Sequence, residues 1–382
     1  MKDKFVVKTP PMGWNSWNTF YNQISEELII STADAMVKNG LCEAGYEYLI
    51  IDDCWSSKER DENGKLVADP EKFPNGIKSV IDYVHSKGLK FGIYSCCGVH
   101  TCAKHPGSFE HEFSDAKQFA EWGVDYLKYD NCFRPSTVPG EILYRRISMA
   151  LHSSGRDILF AACQWGRDEV HRWIRSTGAH TFRSTIDIQD SWRSVEQIAS
   201  SQFEHMYSNA PGCFNDMDIL VVGMNGGGFN PETSVGGCTD TEYQTHFVLW
   251  AMMNSPLIIG CDVRNMTEKT KEILTNKDVI AVNQDPDCRS CYKLDTYGSP
   301  DAFVLVKPLS DGDYAVGYFN FGDAPAHIEL HFWDMGLSMQ AGHGLDFYDC
   351  LKHEQLGVQS EYYSATVESH GCRLYRCRIK EI

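Results

Sequence analysis

The chain has 382 residues, a formal net charge of −17, 42% hydrophobic residues and 12% aromatics. So acidic a surface repels phosphate backbones and anionic lipid, which excludes nucleic acid and membrane as expected partners. The composition fills a large core and is not that of a disordered chain. No apolar run reaches the ~18 residues needed to span a bilayer. The opening stretch MKDKFVVKTPPMGW has no apolar segment of signal-peptide length, so the expected location is cytoplasmic.

Residues 1–290 alternate two textures. Short apolar runs recur at 10–14, 46–53, 90–95, 126–130, 158–165, 181–187, 214–222 and 256–260. Helical periodicity lies between them. At 25–39, Ser25 is placed to cap and Glu26 and Glu27 fall in the first turn. Leu28, Ile29, Ala33, Met36 and Val37 then form one stripe, and Gly40 stops it. At 76–86 the stripe is Ile77, Val80, Ile81 and Val84, with Gly88 beyond. A third helix at 114–122 ends at Gly123. Strand and helix repeated about eight times predict a closed (β/α)8 TIM barrel. From 291 to 382 the helical period fades. Alternating segments at 302–307, 313–319, 327–332, 345–348, 362–367 and 372–379 predict a smaller antiparallel β domain.

Fifteen cysteines is an odd number, so at least one is unpaired within the chain. Cys288 and Cys291 form a lone C-x-x-C, and Cys372 and Cys377 are too loosely spaced to complete a zinc site. Buried thiols are the expectation.

Barrel enzymes place chemistry at the C-terminal ends of their strands. Here those ends carry Asp52-Asp53-Cys54-Trp55, Tyr94, Lys128-Tyr129-Asp130, Cys163-Gln164-Trp165, Arg183 with Asp187, and Asn215-Asp216-Met217-Asp218. Converging carboxylates and aromatics suit a sugar: the acids accept from hydroxyls and the rings cover its C–H face. Two further carboxylates about the scissile bond perform glycoside hydrolysis. Any one strand-end Asp is as readily a helix cap, and the residues alone do not sort these acids. Lys128 also fits a Schiff-base lysine, but that chemistry leaves Asp52, Asp53 and Asp187 unexplained.

The segments PPMGWNSWNTF, AGYEYLIIDDCWS, FPNGIKSVIDYVHSKGLKFGIYS, WGVDYLKYDNC and VIAVNQDP resemble the α-galactosidases of glycoside hydrolase family 27. The resemblance covers roughly residues 8–290; the C-terminal part matches in position and texture alone. It implies a (β/α)8 barrel followed by an antiparallel β-sandwich. It implies Asp130 of YLKYDNC as nucleophile, with Lys128 beside it. Asp187 of R-x-x-x-D-I-x-D-S-W is the implied acid/base, with Asp190 three residues on as the residue most easily confused with it. Trp14, Asp52, Asp53, Tyr94, Lys128, Arg183 and Asp218 are implied to line the sugar, Asp52 and Asp53 at its 4- and 6-hydroxyls. Cys102 and Cys132 match a disulfide of secreted relatives. The implied mechanism is double displacement with retention, the two carboxyls about 5–5.5 Å apart and no metal or organic cofactor.

The family also holds α-N-acetylgalactosaminidases and β-L-arabinopyranosidases. Cys163-Gln164-Trp165-Gly166 is close to the Cys-Glu-Trp-Gly of plant-type α-galactosidases, and its Cys163 and Trp165 are expected to exclude an N-acetyl group at C2. Keeping both Asp52 and Asp53 is the galactosidase pattern, since a pentoside lacks the 6-hydroxyl. Two departures stand out: Ser95-Cys96-Cys97-Gly98 where many relatives read Ser-Asp-Ala-Gly, and a stretch at 225–238 with five glycines. A sugar-binding pseudoenzyme would lack one catalytic acid, and both are present. The expected partner is a small galactosyl oligosaccharide or glycoside; the sequence leaves a homo-oligomer open.

Overall fold

The computed structural model describes residues 6–296 and 299–382. Eight parallel strands form one sheet: β1 (Met12–Asn15), β2 (Tyr48–Ile50), β3 (Lys90–Cys96), β4 (Tyr126–Asp130), β5 (Leu159–Cys163), β6 (Thr181–Arg183), β7 (Phe214–Asp216) and β8 (Leu257–Ile259). Neighbours run β7-β6-β5-β4-β3-β2-β1-β8, and a parallel bridge between Leu220 and Ile259 closes the ring. This is the TIM barrel that the alternation predicts.

The period of two along each strand sorts residues between two cores. Tyr48, Ile50, Tyr126, Leu159, Ala161 and Phe214 pack together inside the barrel. Leu49, Ile51, Leu127, Tyr129, Phe160 and Ala162 belong to the larger cluster shared with the helices. Inward parity continued to the strand ends delivers Asp52, Lys128, Asp130 and Cys163 to one face. Several paired segments are shorter than their apolar runs. The 214–222 run forms a strand only over Phe214–Asp216, because the chain turns at Asp218 (φ 94°); its remainder is buried and pairs through the single Leu220 bridge.

The helices end as their sequences dictate. The Ser25 side chain accepts from the Leu28 amide above helix Glu26–Lys38. Helix Ile77–Ser86 buries Ile77, Val80, Ile81 and Val84. Helix Glu112–Trp122 stops at Gly123, whose φ of 92° suits glycine.

The C-terminal strands are β9 (Tyr292–Asp295), β10 (Ala302–Pro308), β11 (Tyr314–Asn320), β12 (Ala326–His331), β13 (His343–Asp349), β14 (Glu354–Gln359), β15 (Tyr362–Val367) and β16 (Cys372–Glu381). An antiparallel sheet ordered β14-β13-β16-β11-β10-β9 packs on the β12-β15 pair, a β-sandwich. Val304, Val316, Tyr318, Ile328, Leu330 and Phe347 fill the space between. The pattern does not predict β9 and β14. Both are sheet edges with no fully buried residue, so neither needs apolar alternation.

The other face of this sheet joins the barrel core through Phe303, Leu305, Ala315 and Leu374. Lys307 is wholly buried there; its ammonium donates to Asn254 Oδ1 (2.6 Å) and to the Val282 carbonyl. Cys288 and Cys291 are buried free thiols, the first against the Lys8 carbonyl (3.3 Å) and the second against Met206 Sδ (3.1 Å). Among the described residues no helix is long and apolar enough to cross a membrane.

Candidate active site

A cavity of about 550 Å3 opens at the C-terminal ends of the barrel strands. Asp52, Tyr94, Lys128, Asp130, Cys163, Trp165, Arg183, Asp187 and Asp218 all line it. Strand register sets their levels: Asp130 pairs with Cys96 on one side and Cys163 on the other, and Cys163 pairs with Arg183.

Asp130 lies at the bottom, 6% exposed. Its Oδ1 accepts from the Asn131 amide (2.7 Å) and its Oδ2 from the Tyr94 hydroxyl (2.8 Å). Burial pushes its carboxyl up to about 6 against the downward pull of Lys128 and these two donors, and the Asp187 charge adds a smaller upward push. Lys128 donates to Asp52 Oδ2 (2.7 Å), which also accepts from Asn15 Nδ2 (2.7 Å). Burial opposes the Lys128 charge, but Asp52 and its other acidic neighbours hold its proton well above the ordinary range.

Arg183 is buried and lies between two carboxylates. Its Nη1 meets Asp218 Oδ1 at 2.8 Å, and its Nη2 donates to Asp187 Oδ1. Burial pushes Asp218 up to about 6 against the pull of Arg183. Asp187 is held below the ordinary carboxylate range, chiefly by the Arg183 charge. Its side chain is 69% exposed, at the cavity mouth. Asp190, three residues on, is a structural group: it is fully buried and accepts from the Gly226 amide (2.7 Å) and the Tyr243 hydroxyl (2.9 Å).

Two expected residues lie elsewhere. Trp14 does not reach the cavity: it is fully buried in the outer core and donates to the Cys261 carbonyl (2.9 Å). The cause is parity, because Gly13 and Asn15 pair with the inward Tyr48 and Ile50, which turns Trp14 outward. Trp17, past the end of β1, lines the cavity instead. Asp53 is likewise off the cavity wall. Its carboxylate accepts from the Cys54 (2.7 Å) and Ala103 (2.8 Å) amides, leaving Asp52 as the member of the pair that faces the site.

Sequence reasoning also missed Arg167, Glu232 and Thr233 at the rim. Glu232 and Thr233 belong to the glycine-rich 225–238 stretch, which Asp190 ties down at Gly226 and Gly237. The spacing of Asp190 to that stretch carried no signal; its glycines did. Cys102 and Cys132 form a disulfide, Cα–Cα 5.3 Å, on the same wall. Cys96 and Cys97 are buried free thiols behind Asp130, and the Cys97 amide donates to the Asp130 carbonyl (2.8 Å).

A family profile described as "Alpha galactosidase A" matches residues 9–285, and one described as "Alpha galactosidase C-terminal beta sandwich domain" matches residues 300–377. The chain belongs to the α-galactosidases of glycoside hydrolase family 27. Alpha-galactosidase 3 of Arabidopsis thaliana is 45% identical over 372 residues, 97% of this chain and 82% of that protein. Alpha-galactosidase I of Mortierella vinacea superposes with a TM-score of 0.91 at 34% identity, covering 98% of each chain. An α-galactosidase from Saccharomyces cerevisiae solved with raffinose superposes with a TM-score of 0.87 at 31% identity, again over 98% of each chain. Within this α-galactosidase family the chain stands nearest the plant type.

Proposed function

We propose that this α-galactosidase removes terminal α-D-galactosyl residues from small oligosaccharides or glycosides by double displacement, with retention. The observation that carries this is the different depth of two carboxylates in one cavity: Asp130 at 6% exposure and Asp187 at 69%. Asp130 faces the buried end of a bound sugar and is the nucleophile. Asp187 stands where an aglycone leaves and is the acid/base. Asp52 and Lys128 take the hydroxyls of the far edge of the ring, Trp17 covers its C–H face, and Arg183 and Cys163 lie at the C2 side.

The resting charges run opposite to those of the reactive complex. Asp130 is the better proton holder of the free site and Asp187 the poorer. Position decides the roles, because the Asp187 contact to Arg183 is exposed and replaceable whereas the burial of Asp130 is built in. A sugar hydroxyl that engages Arg183 frees Asp187 to take the proton, and Asp130 is then ionised for attack. Raffinose, bound by the yeast relative, is a fitting substrate class. Thirteen unpaired cysteines against one disulfide support a reducing, cytoplasmic location.

The test is hydrolysis of p-nitrophenyl α-D-galactopyranoside, α-N-acetylgalactosaminide and β-L-arabinopyranoside by wild type and Asp130→Ala, with NMR of the first-formed sugar. The α-galactoside is expected to react fastest, α-galactose to form first, and the variant to be inactive. Initial release of β-galactose would replace double displacement by inversion.

A further inference from the structure

The Cys102–Cys132 disulfide lies against the catalytic carboxylate. Cys102 is exposed and lines the main cavity. Both half-cystines also line an adjoining cavity of about 420 Å3, so a small reductant has access from two sides. Cys132 Sγ lies 3.6 Å from the Tyr94 hydroxyl, the group that donates to Asp130. The two sulfurs and an Asp130 carboxylate oxygen all lie within 4.8 Å of one another.

We propose that reduction of this disulfide creates a binding site for a soft divalent cation such as Zn2+ or Cd2+, held by Cys102, Cys132 and Asp130. Occupancy blocks the nucleophile, so the ion is an inhibitor. The inhibitory consequence rests on the role of Asp130 given above; the binding itself does not.

The chemistry balances. A dithiol reductant delivers two electrons and two protons, becomes its own cyclic disulfide, and leaves thiols on Cys102 and Cys132. The ion then displaces both thiol protons to solvent and forms two metal–sulfur bonds and one metal–oxygen bond. Tetrahedral zinc has Zn–S near ~2.3 Å and Zn–O near ~2.1 Å, which separates its ligand atoms by roughly 3.5–3.8 Å. That fits inside the observed 4.8 Å spread once the sulfurs part, and the 5.3 Å Cα–Cα separation lets them part by side-chain rotation. Two thiolates and a carboxylate favour zinc or cadmium over magnesium. The fourth position opens to the cavity and takes water.

Free thiols elsewhere, including Cys288 and Cys291, are reduced in both states. A difference measurement therefore isolates this pair. The full-length protein is compared as the disulfide form and after dithiol reduction and desalting. Bound zinc is counted by equilibrium dialysis, separately from galactoside hydrolysis. Reduction is expected to add about one zinc per chain, and galactose is expected to prevent that uptake because it occupies the same cavity. Zinc should slow the reduced form at least about tenfold, reversibly with a chelator, while the disulfide form keeps its rate. Cadmium should give a thiolate charge-transfer band that Cys102→Ser/Cys132→Ser lacks. Equal zinc uptake by both forms overturns the proposal, as does the same band in the double variant. Should that variant fail to fold, the wild-type comparison alone decides. If zinc adds on reduction but galactose neither binds nor protects, the site stands and the functional reading fails.

Discussion

Tyr94→Phe separates a positioned hydrogen bond from mere packing at the nucleophile. The substitution keeps the ring, which is fully buried, and removes only the donor 2.8 Å from Asp130 Oδ2. A hydrogen bond to a charged group contributes about 1.5–3 kcal/mol. Its loss destabilises the carboxylate and not the acid, so the Asp130 ionisation rises by about one to two pH units. The starting point is about 6, where burial places it. Because Arg183 holds Asp187 lower, the Asp130 ionisation is the alkaline limb of kcat/KM, and the lower group sets the acidic limb. The alkaline limb should therefore move up while the acidic limb stays. The reactive form has Asp130 ionised and Asp187 protonated, the minor arrangement of one shared proton. Widening the gap between the two groups makes that form rarer by the same factor, so the plateau falls about ten- to hundredfold as the limb rises one to two units. The assay is kcat/KM for p-nitrophenyl α-galactoside across the acidic and neutral range. A lowered plateau with an unmoved limb would refute the reasoning and reduce Tyr94 to a packing residue.

Three further expectations follow from particular contacts. Asp187→Ala should lower kcat/KM for a sugar leaving group about 10²–10⁴-fold while sparing kcat/KM for p-nitrophenyl galactoside, whose leaving group needs no proton; equal losses of kcat/KM on both substrates would sink its role as acid. Trp17→Ala should raise KM with the melting temperature kept, whereas Trp14→Ala should lose about 3–5 kcal/mol of stability by urea unfolding; the reverse pattern would restore Trp14 to the sugar. Lys307, pushed down to about 8 by burial, should make stability depend on pH. Below that value the folded and unfolded chains both carry the proton and its penalty is constant. Between there and the unfolded value of about 10.4 the unfolded chain alone keeps it, so stability rises with pH by about 3 kcal/mol in all. Urea midpoints at either end of that window should differ in wild type and less in Lys307→Met; parallel pH dependence in both would assign the effect elsewhere.

The barrel was legible because its strands and helices repeat two different periods, and the helix ends at Ser25, Gly40 and Gly123 follow local chemistry. β9 and β14 were not legible, since edge strands bury no full face. The site was legible where inward parity and strand ends coincide, as at Asp52, Lys128, Asp130 and Cys163. It failed at Trp14, where a motif outweighed parity: counting by twos from Gly13 and Asn15 turns Trp14 outward and leaves Trp17 as the aromatic for the cavity. Asp53 failed by the same count, one residue past the inward Asp52. Glu232 and Thr233 reach the rim through a loop anchored at Asp190, a long-range contact that periodicity does not encode.

The charges of the cavity explain why a neutral sugar suits it. Asp52, Asp130 and Asp218 at its depth and Asp187 at its mouth share Lys128 and Arg183, Arg183 lying between two of the acids. Burial, with a smaller push from the neighbouring acids, raises Asp130 and Asp218, so these two carboxyls are the better proton holders of the set. A glycosidase needs one proton in its site, and carboxyls held at about 6 retain it on the acidic side of neutrality. An anionic ligand would add to the excess. Sugar hydroxyls add no charge and supply donors to carboxylates that burial has stripped of water. As the glycosidic bond breaks, positive charge grows on the ring, and the surplus of carboxylates that destabilises the empty site then stabilises the transition state.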